Sequence, residues 1–268
     1  MKKEQKEWIQ KNRSKWVSVG VGITLLVLGI VLTVLTRPGA IVEDAAAGAK
    51  VPFALGLIII LLGVIIPLVA ALPERKPTEV RTLTMAALFA ALCYIGFTYC
   101  KIDIPVGMEK TAFHLGNVFC VLAALFLGGF WGGMSGAIGM TIADLTTAYV
   151  TSAPKTFLLK LCIGLITGFV AHKVFHISHD KEDRKLPLTA ATAISCAAGM
   201  AFNIVADPLV GYFYKMYVLG VPQEAANIWA KIGAVTTSVN AVVAVIAATV
   251  FYMALRKSMR RTNLLPKL

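Results

Sequence analysis

Charged residues are scarce in this chain. Only 15% of its 268 residues are Asp, Glu, Lys or Arg, whereas 57% are hydrophobic and the mean hydropathy is +0.75. Soluble domains carry about 25% charged residues, so this composition argues against a soluble globular protein. Catalytic signatures are missing too: there is no G-x-x-x-x-G-K-[ST] phosphate loop, no G-x-S-x-G and no H-E-x-x-H. The chain therefore has no motif for hydrolysing ATP, and nothing in the sequence supports covalent chemistry.

Cysteine is sparse and unclustered. The five cysteines stand singly on apolar segments without a C-x-x-C pair, which predicts buried free thiols and no disulfide or zinc framework. The sequence predicts no resident metal or cofactor. One alternative stays open, a metal-dependent membrane enzyme that uses His172, His176 and His179. Polar residues leaving the membrane beside a basic loop are the simpler interpretation of these histidines.

Long apolar runs dominate what remains. About 20 apolar residues are needed to cross the bilayer as a helix; several windows reach that length, and eight membrane-spanning helices are predicted in all. We expect an all-α polytopic membrane protein with a tail and a transmembrane hairpin at 1–77, a six-helix core at 78–258 and a basic tail at 259–268. The charged, proline-flanked segment 73–77 marks the internal boundary. The predicted helices are 16–36, 51–72, 80–99, 111–127, 130–149, 156–175, 188–214 and 228–255.

The basic residues decide the predicted orientation. The formal net charge is +12, but Lys and Arg lie in short runs between spans, and they form no basic stripe with interleaved aromatics. No nucleic-acid partner is therefore indicated. About 18 of the 26 basic residues fall in the two termini and in two loops that share one side of the membrane. We expect the chain to lie in the plasma membrane, and the positive-inside rule predicts that both termini are cytoplasmic.

Six polar or ionisable side chains fall inside the predicted spans at a common depth. A central Asp, Lys or Arg costs roughly 2.5–3.5 kcal/mol on insertion scales, so ionisable residues within spans usually face a bundle interior or a ligand. At a rise of about 1.5 Å per residue, all of them lie toward the outer side, which predicts a substrate cup open to the outside. An alternative is structural, with Asp144 and Lys160 merely neutralising each other. The six are His114, Asn117, Asp144, Lys160, Asn203 and Asp207.

Helical spacing supports one shared cavity. His114 and Asn117 are three residues apart and Asn203 and Asp207 are four apart, so each pair is expected to share a helix face. The segment 100–110, which follows the first core helix, is long enough to fold over the cup. Packing hydrogen bonds or an ordinary solvated loop are the corresponding structural alternatives.

Small residues are spaced for close helix contact in the first core helix. Ala86 and Ala90, and likewise Ala87 and Ala91, have the small-xxx-small spacing that lets helices approach closely. Two interpretations remain open, packing within the chain and docking of a partner membrane protein.

Residues 78–257 resemble the substrate-binding S component of energy-coupling factor (ECF) vitamin transporters, and within them the riboflavin-transporter-like group. No single motif carries the resemblance; an ordered set over six spans does. The set comprises the alanine-rich first core helix, Ile102-Asp103-Ile104-Pro105, His114-Leu115-Gly116-Asn117, Leu127-Gly128, Trp131-Gly132, Gly136, Gly139, Asp144, Pro154 and Lys160.

The resemblance implies a high-affinity binding subunit of an ABC-type importer. It would capture a vitamin or precursor, riboflavin-like first, for uptake driven by a transmembrane coupling subunit and two cytoplasmic ATPase subunits that use ATP. It also implies that Ala86, Ala87, Ala90 and Ala91 contact the coupling subunit, and that 100–110 acts as a lid. The hairpin at 1–77 departs from the six-helix pattern, and Asn117 stands where an acidic residue is expected in much of the group. A solitary carrier without ATPases remains an alternative.

Overall fold

The computed structural model describes residues 80–106, 109–178 and 186–262, together with scattered residues between 17 and 66. Two compact units divide the chain: Met1–Pro73 with Phe213–Pro222, and Glu74–Tyr212 with Gln223–Leu268. The predicted N-terminal hairpin and basic C-terminal tail lie mostly outside the described residues. Within the hairpin, an apolar helix runs over Gly20–Gly29.

Five helices in the described part of the chain are long and apolar enough to cross a membrane, which confirms a mostly helical, multi-pass membrane protein. A 3-10 turn, Val150–Ser152, precedes the third, and π-helical turns at Val170–Val174 and Tyr214–Val218 extend the third and fourth. The helices are α1 (Val80–Thr98), α2 (Gly116–Leu145), α3 (Ala153–Phe169), α4 (Leu188–Phe213) and α5 (Gln223–Arg261).

Helix α2 reverses direction at Gly128. This residue has φ 81° and ψ 171°, a conformation that is open to glycine because it lacks Cβ. The two halves, α2a (116–127) and α2b (129–145), pack side by side: a Cβ added to Gly132 would lie 2.2 Å from the Ala124 Cα, and one on Gly136 would lie 2.3 Å from the Cys120 Sγ. The two halves are therefore antiparallel, and they correspond to the two spans predicted at 111–127 and 130–149, on either side of the glycine-rich segment 128–133.

Four glycines bring α2b and α3 into backbone contact. A Cβ on Gly164 would lie 2.1 Å from the Gly133 Cα, and a Cβ on Gly168 would lie 2.2 Å from the Gly129 N. Each helix contributes two glycines four residues apart, the spacing that membrane helices use for close approach. This contact fixes the position of α3, which carries several polar residues of the candidate site.

A β-hairpin replaces the predicted start of the second core helix. Strands β1 (Lys101–Val106) and β2 (Glu109–His114) pair antiparallel, with Lys101 opposite His114 and Val106 opposite Glu109. The helix expected from residue 111 begins only at Gly116. The physical reason is the β-branched alternation of Ile102, Ile104 and Val106, which favours a strand and gives residues 111–114 a partner.

Candidate functional site

Lys160 pairs with Asn117 inside the bundle. Both side chains are buried, and the Lys160 Nζ donates a hydrogen bond of 2.9 Å to the Asn117 Oδ1. Asn117 lies in the first turn of α2 and Lys160 in the second turn of α3. Lys160 thus donates to an amide oxygen, and its described hydrogen bond does not go to Asp144, the partner in the structural alternative.

Asp207 takes its ion-pair partner from the start of α3. The Lys155 Nζ lies 2.7 Å from the Asp207 Oδ1, and the Thr237 hydroxyl donates a 2.9 Å hydrogen bond to the Oδ2. Three helices, α3, α4 and α5, therefore meet at one carboxylate. Lys160 and Asp144 also interact with it electrostatically, so the cluster holds two lysines and two aspartates.

Two predicted site residues present buried oxygens without a hydrogen-bond partner. Asp144 is 3% exposed and Asn203 is 1% exposed, and the Asp144 Oδ2 and Asn203 Oδ1 accept no hydrogen bond. A buried acceptor left unsatisfied costs about 1–3 kcal/mol. Asn203 stands one turn before Asp207 on α4, as predicted, and Asp144 lies beside Thr156. These oxygens can accept N–H or O–H groups of a ligand.

His114 reaches the cluster from the β-hairpin formed by β1 and β2. It is the last residue of β2, so the prediction that it shares a helix face with Asn117 is wrong. Its ring packs 4.7 Å from the Phe97 ring between centroids, and its buried Nδ1 has no hydrogen-bond partner. Burial, with the nearby positive charge of Lys160, lowers the pKa of His114 from 6.5 to about 3. The imidazole is therefore neutral at physiological pH.

The hairpin, α2, α3 and α4 thus bring the predicted residues to one end of the bundle, and α5 contributes residues that sequence reasoning missed. Thr237 binds Asp207, while Asn240 binds the backbone of β2. The signal was the polar run at 236–240 within an otherwise apolar span. Lys155 was missed as well; as a lysine in the first turn of α3, it was the natural counterion for a carboxylate at the same depth.

The histidines at the opposite end of α3 form no described metal site. Both ring nitrogens of His172 are engaged, Nδ1 with the Ser178 Oγ at 2.6 Å and Nε2 with the Ala124 carbonyl at 3.1 Å. Because the carbonyl can only accept, Nε2 carries the proton and donates it. His172 thus has no nitrogen left for a metal, and His179 lies outside the described residues. The contacts explain this histidine as a polar link between α3 and α2a.

An apolar groove runs along α1 and α2b. Its volume is about 490 Å³, and the four predicted docking alanines line it. They are not equivalent: Ala86 is buried and the Ala90 carbonyl lies against Gly139 of α2b, whereas Ala87 and Ala91 are exposed. Ala86 and Ala90 therefore pack within the chain, whereas Ala87 and Ala91 face outward. The remaining lining residues are Leu83, Tyr94, Trp131, Met134, Ser135, Ile138, Gly139 and Ile142.

Comparison with protein families decides the assignment. Residues 78–257, two thirds of the chain, match the model of the family "ECF-type riboflavin transporter, S component". The chain belongs to this family. The family is one of transporter S components, not of enzymes, and the match covers the whole helical core from α1 into α5. No curated protein and no solved structure was found to match.

Proposed function

We propose that this S component captures a vitamin, riboflavin first, in the polar cluster at the hairpin end of its bundle. The observation that carries the proposal is the pair of buried, unpartnered oxygens on Asp144 and Asn203. Around them stand His114, Asn117, Lys160 and Asp207, the other predicted substrate-binding residues. The formal charges of the two lysines and two aspartates cancel, which suits a neutral ligand that carries N–H and O–H donors.

Asn203 gives the sharpest test of ligand contact, because no described protein group depends on its Oδ1. The experiment measures riboflavin affinity of the purified protein by calorimetry or by quenching of flavin fluorescence. Asn203→Ala is expected to weaken binding roughly 10- to 100-fold, the effect of losing a buried hydrogen bond of about 1.5–3 kcal/mol. Asn227→Ala is the control, since Asn227 is exposed on α5. Equal affinities in both variants contradict the assignment of the cluster.

The apolar groove is the proposed contact with a transmembrane coupling subunit, which works with two cytoplasmic ATPase subunits. A face without charge between α1 and α2b suits a helix of another membrane protein, since small residues let backbones approach closely. Ala87 and Ala91 are the residues to change because they face outward. Bulky groups at Ala86 or Ala90 disturb packing within the chain instead.

Ala87→Trp and Ala91→Trp are expected to leave riboflavin binding intact and to stop uptake in cells that carry the coupling and ATPase subunits. Val250→Trp is the matched control, because Val250 is 59% exposed on α5, away from the groove. Normal uptake by the alanine variants removes the docking proposal. Uptake by this chain in cells without the partner subunits favours the solitary carrier.

The proposal includes a topology. Both termini lie in the cytoplasm and the polar cluster faces the outside of the plasma membrane, as the basic residues favour. In this proposal the chain itself uses no cofactor, and the partner ATPase subunits use ATP. Labelling of Cys100, the exposed cysteine that precedes β1, with a membrane-impermeant maleimide tests the topology. Labelling of Cys100 from outside intact cells is expected. Labelling only after permeabilisation shows that the opposite topology is correct.

A further inference from the structure

One face of α5 is apolar and exposed along most of the helix. Its exposed residues recur every three or four positions, so they lie on one side of the helix. The opposite side packs into the hydrophobic core through Ala241, Ala244, Ala248 and Tyr252. Because α5 is long and apolar enough to cross a membrane, its exposed face is a surface for lipid chains. The exposed residues are Val235, Val239, Val242, Ile246, Val250 and Met253.

The apolar face matches the hydrocarbon layer in length. It extends from Val235 to Leu255, which is the last exposed apolar residue before the first arginine of the helix. These residues span about 30 Å at a rise of about 1.5 Å each, which is the thickness of the hydrocarbon core. Lys231 precedes this band and Lys257 follows it. The two lysines therefore lie at the two headgroup levels of a bilayer.

Basic residues gather at the end of α5 that follows this band. Four of them stand within six positions, whereas Glu224, the only acidic residue of the helix, lies in its first turn. A basic cluster of this size, directly beside a membrane-spanning segment, is typical of contact with anionic lipid. The four residues are Arg256, Lys257, Arg260 and Arg261.

Two of the four basic residues join the end of α5 to the loop that follows α3. The Arg256 Nη2 donates a 2.8 Å hydrogen bond to the Ile177 carbonyl. The Arg260 Nη2 donates a hydrogen bond to the carbonyl of Ser178, the next residue of the loop. These contacts hold the last turns of α5 in place, so the other two basic residues project from an anchored helix end.

Lys257 and Arg261 face outward. Both are exposed, and they stand four positions apart, so they share one side of α5. Within the described part of the chain, neither side chain has a hydrogen bond or an ion pair. Lys257 follows Met253 by four positions and Val250 by seven, so it continues the exposed apolar face. That face therefore ends in a pair of cations at headgroup depth.

We propose that Lys257 and Arg261 bind the phosphate of an anionic phospholipid whose acyl chain lies along Met253, Val250 and Ile246. The cations attract the phosphate, and the apolar face packs against the chain. A free phosphate would use the cations alone, whereas the continuity of cations and apolar face suits a lipid. The site lies at the opposite end of α5 from the polar cluster, so it does not depend on the proposed function.

Native mass spectrometry of the purified full chain tests the site. The chain is equilibrated in detergent micelles that contain dioleoyl phosphatidylglycerol, which is anionic, or dioleoyl phosphatidylcholine, which has the same acyl chains and no net charge. The chain is expected to retain phosphatidylglycerol preferentially. Lys257→Gln/Arg261→Gln is expected to weaken this binding roughly 10- to 30-fold, whereas Lys257→Arg/Arg261→Lys, which keeps both charges, is expected to preserve it.

Lys173→Gln/Lys231→Gln is the matched control, because it removes the same net charge from two other exposed lysines. Equal retention of phosphatidylglycerol by the site variant and this control, with matching circular dichroism spectra, overturns the proposal. Equal retention of the two lipids by the unaltered chain overturns it as well. Glycerol phosphate at the concentration of the lipid is expected to displace little phosphatidylglycerol. Full displacement shows that the site binds phosphate without the apolar face and refutes the lipid assignment.

Discussion

The ion pair between Lys155 and Asp207 allows a quantitative test of how the polar cluster is held. The perturbations are Lys155→Met, which keeps the aliphatic stem, and Asp207→Asn, which keeps the shape and an oxygen for Thr237. Exposed pairs contribute about 0.2–1 kcal/mol, whereas breaking a buried pair costs about 3–5 kcal/mol. With 14% and 26% of the two side chains exposed, each single substitution is expected to lower the free energy of unfolding by ~2–3 kcal/mol, between these limits.

The double variant separates the pair from its surroundings. Each single substitution leaves one charge unpaired at the cluster, and the double variant leaves neither. We therefore expect the double variant to lose at least ~1 kcal/mol less than the sum of the single losses. Unfolding in mixed detergent micelles, followed by circular dichroism, measures all three. Lys231→Met on the exposed face of α5 is the control for losing a lysine.

Additive losses contradict the reasoning, because they mean that the 2.7 Å contact couples the two residues too weakly to matter. The same series also separates stability from binding. Asp207→Asn is expected to weaken riboflavin binding as well as folding, so Asp207 alone cannot report ligand contact. Asn203, whose Oδ1 has no hydrogen-bond partner, does not share this ambiguity.

Two further outcomes follow from the packing and from His114. Gly164→Ala places a methyl 2.1 Å from the Gly133 Cα and is expected to cost ~1–3 kcal/mol or more; Gly233→Ala on α5, with open space around it, is expected to be neutral or to gain up to ~1 kcal/mol. Because the pKa of His114 is lowered from 6.5 to about 3, the unfolded chain binds the extra proton. The contribution of the neutral His114 to the free energy of unfolding is therefore complete above pH 6.5, and it falls by at most ~1.4 kcal/mol per pH unit as the pH drops below that value. His114→Gln is expected to flatten this dependence in melting curves recorded at several pH values.

Hydropathy and helix geometry were sufficient for much of the fold. The apolar spans of the core were predictable because a bilayer demands about 20 apolar residues per helix. The reversal at Gly128 was signalled by four glycines within six residues. The common face of Asn203 and Asp207 followed from their spacing of four on α4. All three depend on local sequence, which is why they could be predicted.

Which buried side chains pair with each other could not be predicted, because the pairing depends on how the helices are rotated about their axes. Asp144 was the chemically obvious partner for Lys160, but the glycine contact between α2b and α3 sets a rotation in which Lys160 meets Asn117. The hairpin was hidden because Ala112 and Phe113 continue the apolar pattern of the helix after them. A strand of this kind is revealed only by its partner, here the alternating apolar residues of β1.

Packing along α2b bears on how a ligand enters. The backbones of α2b and α3 touch at Gly133 and Gly164, and a Cβ on Gly139 would lie 2.1 Å from the Ala90 carbonyl of α1. Helices joined by such contacts cannot part without losing tightly packed backbone surface, so α1, α2 and α3 are expected to move as one body. The β-hairpin and α5 are joined by side-chain hydrogen bonds of α5, from Asn240 to the backbone of β2 and between Thr236 and Thr111. Entry between the β-hairpin and α5 is therefore expected to disturb the least backbone packing.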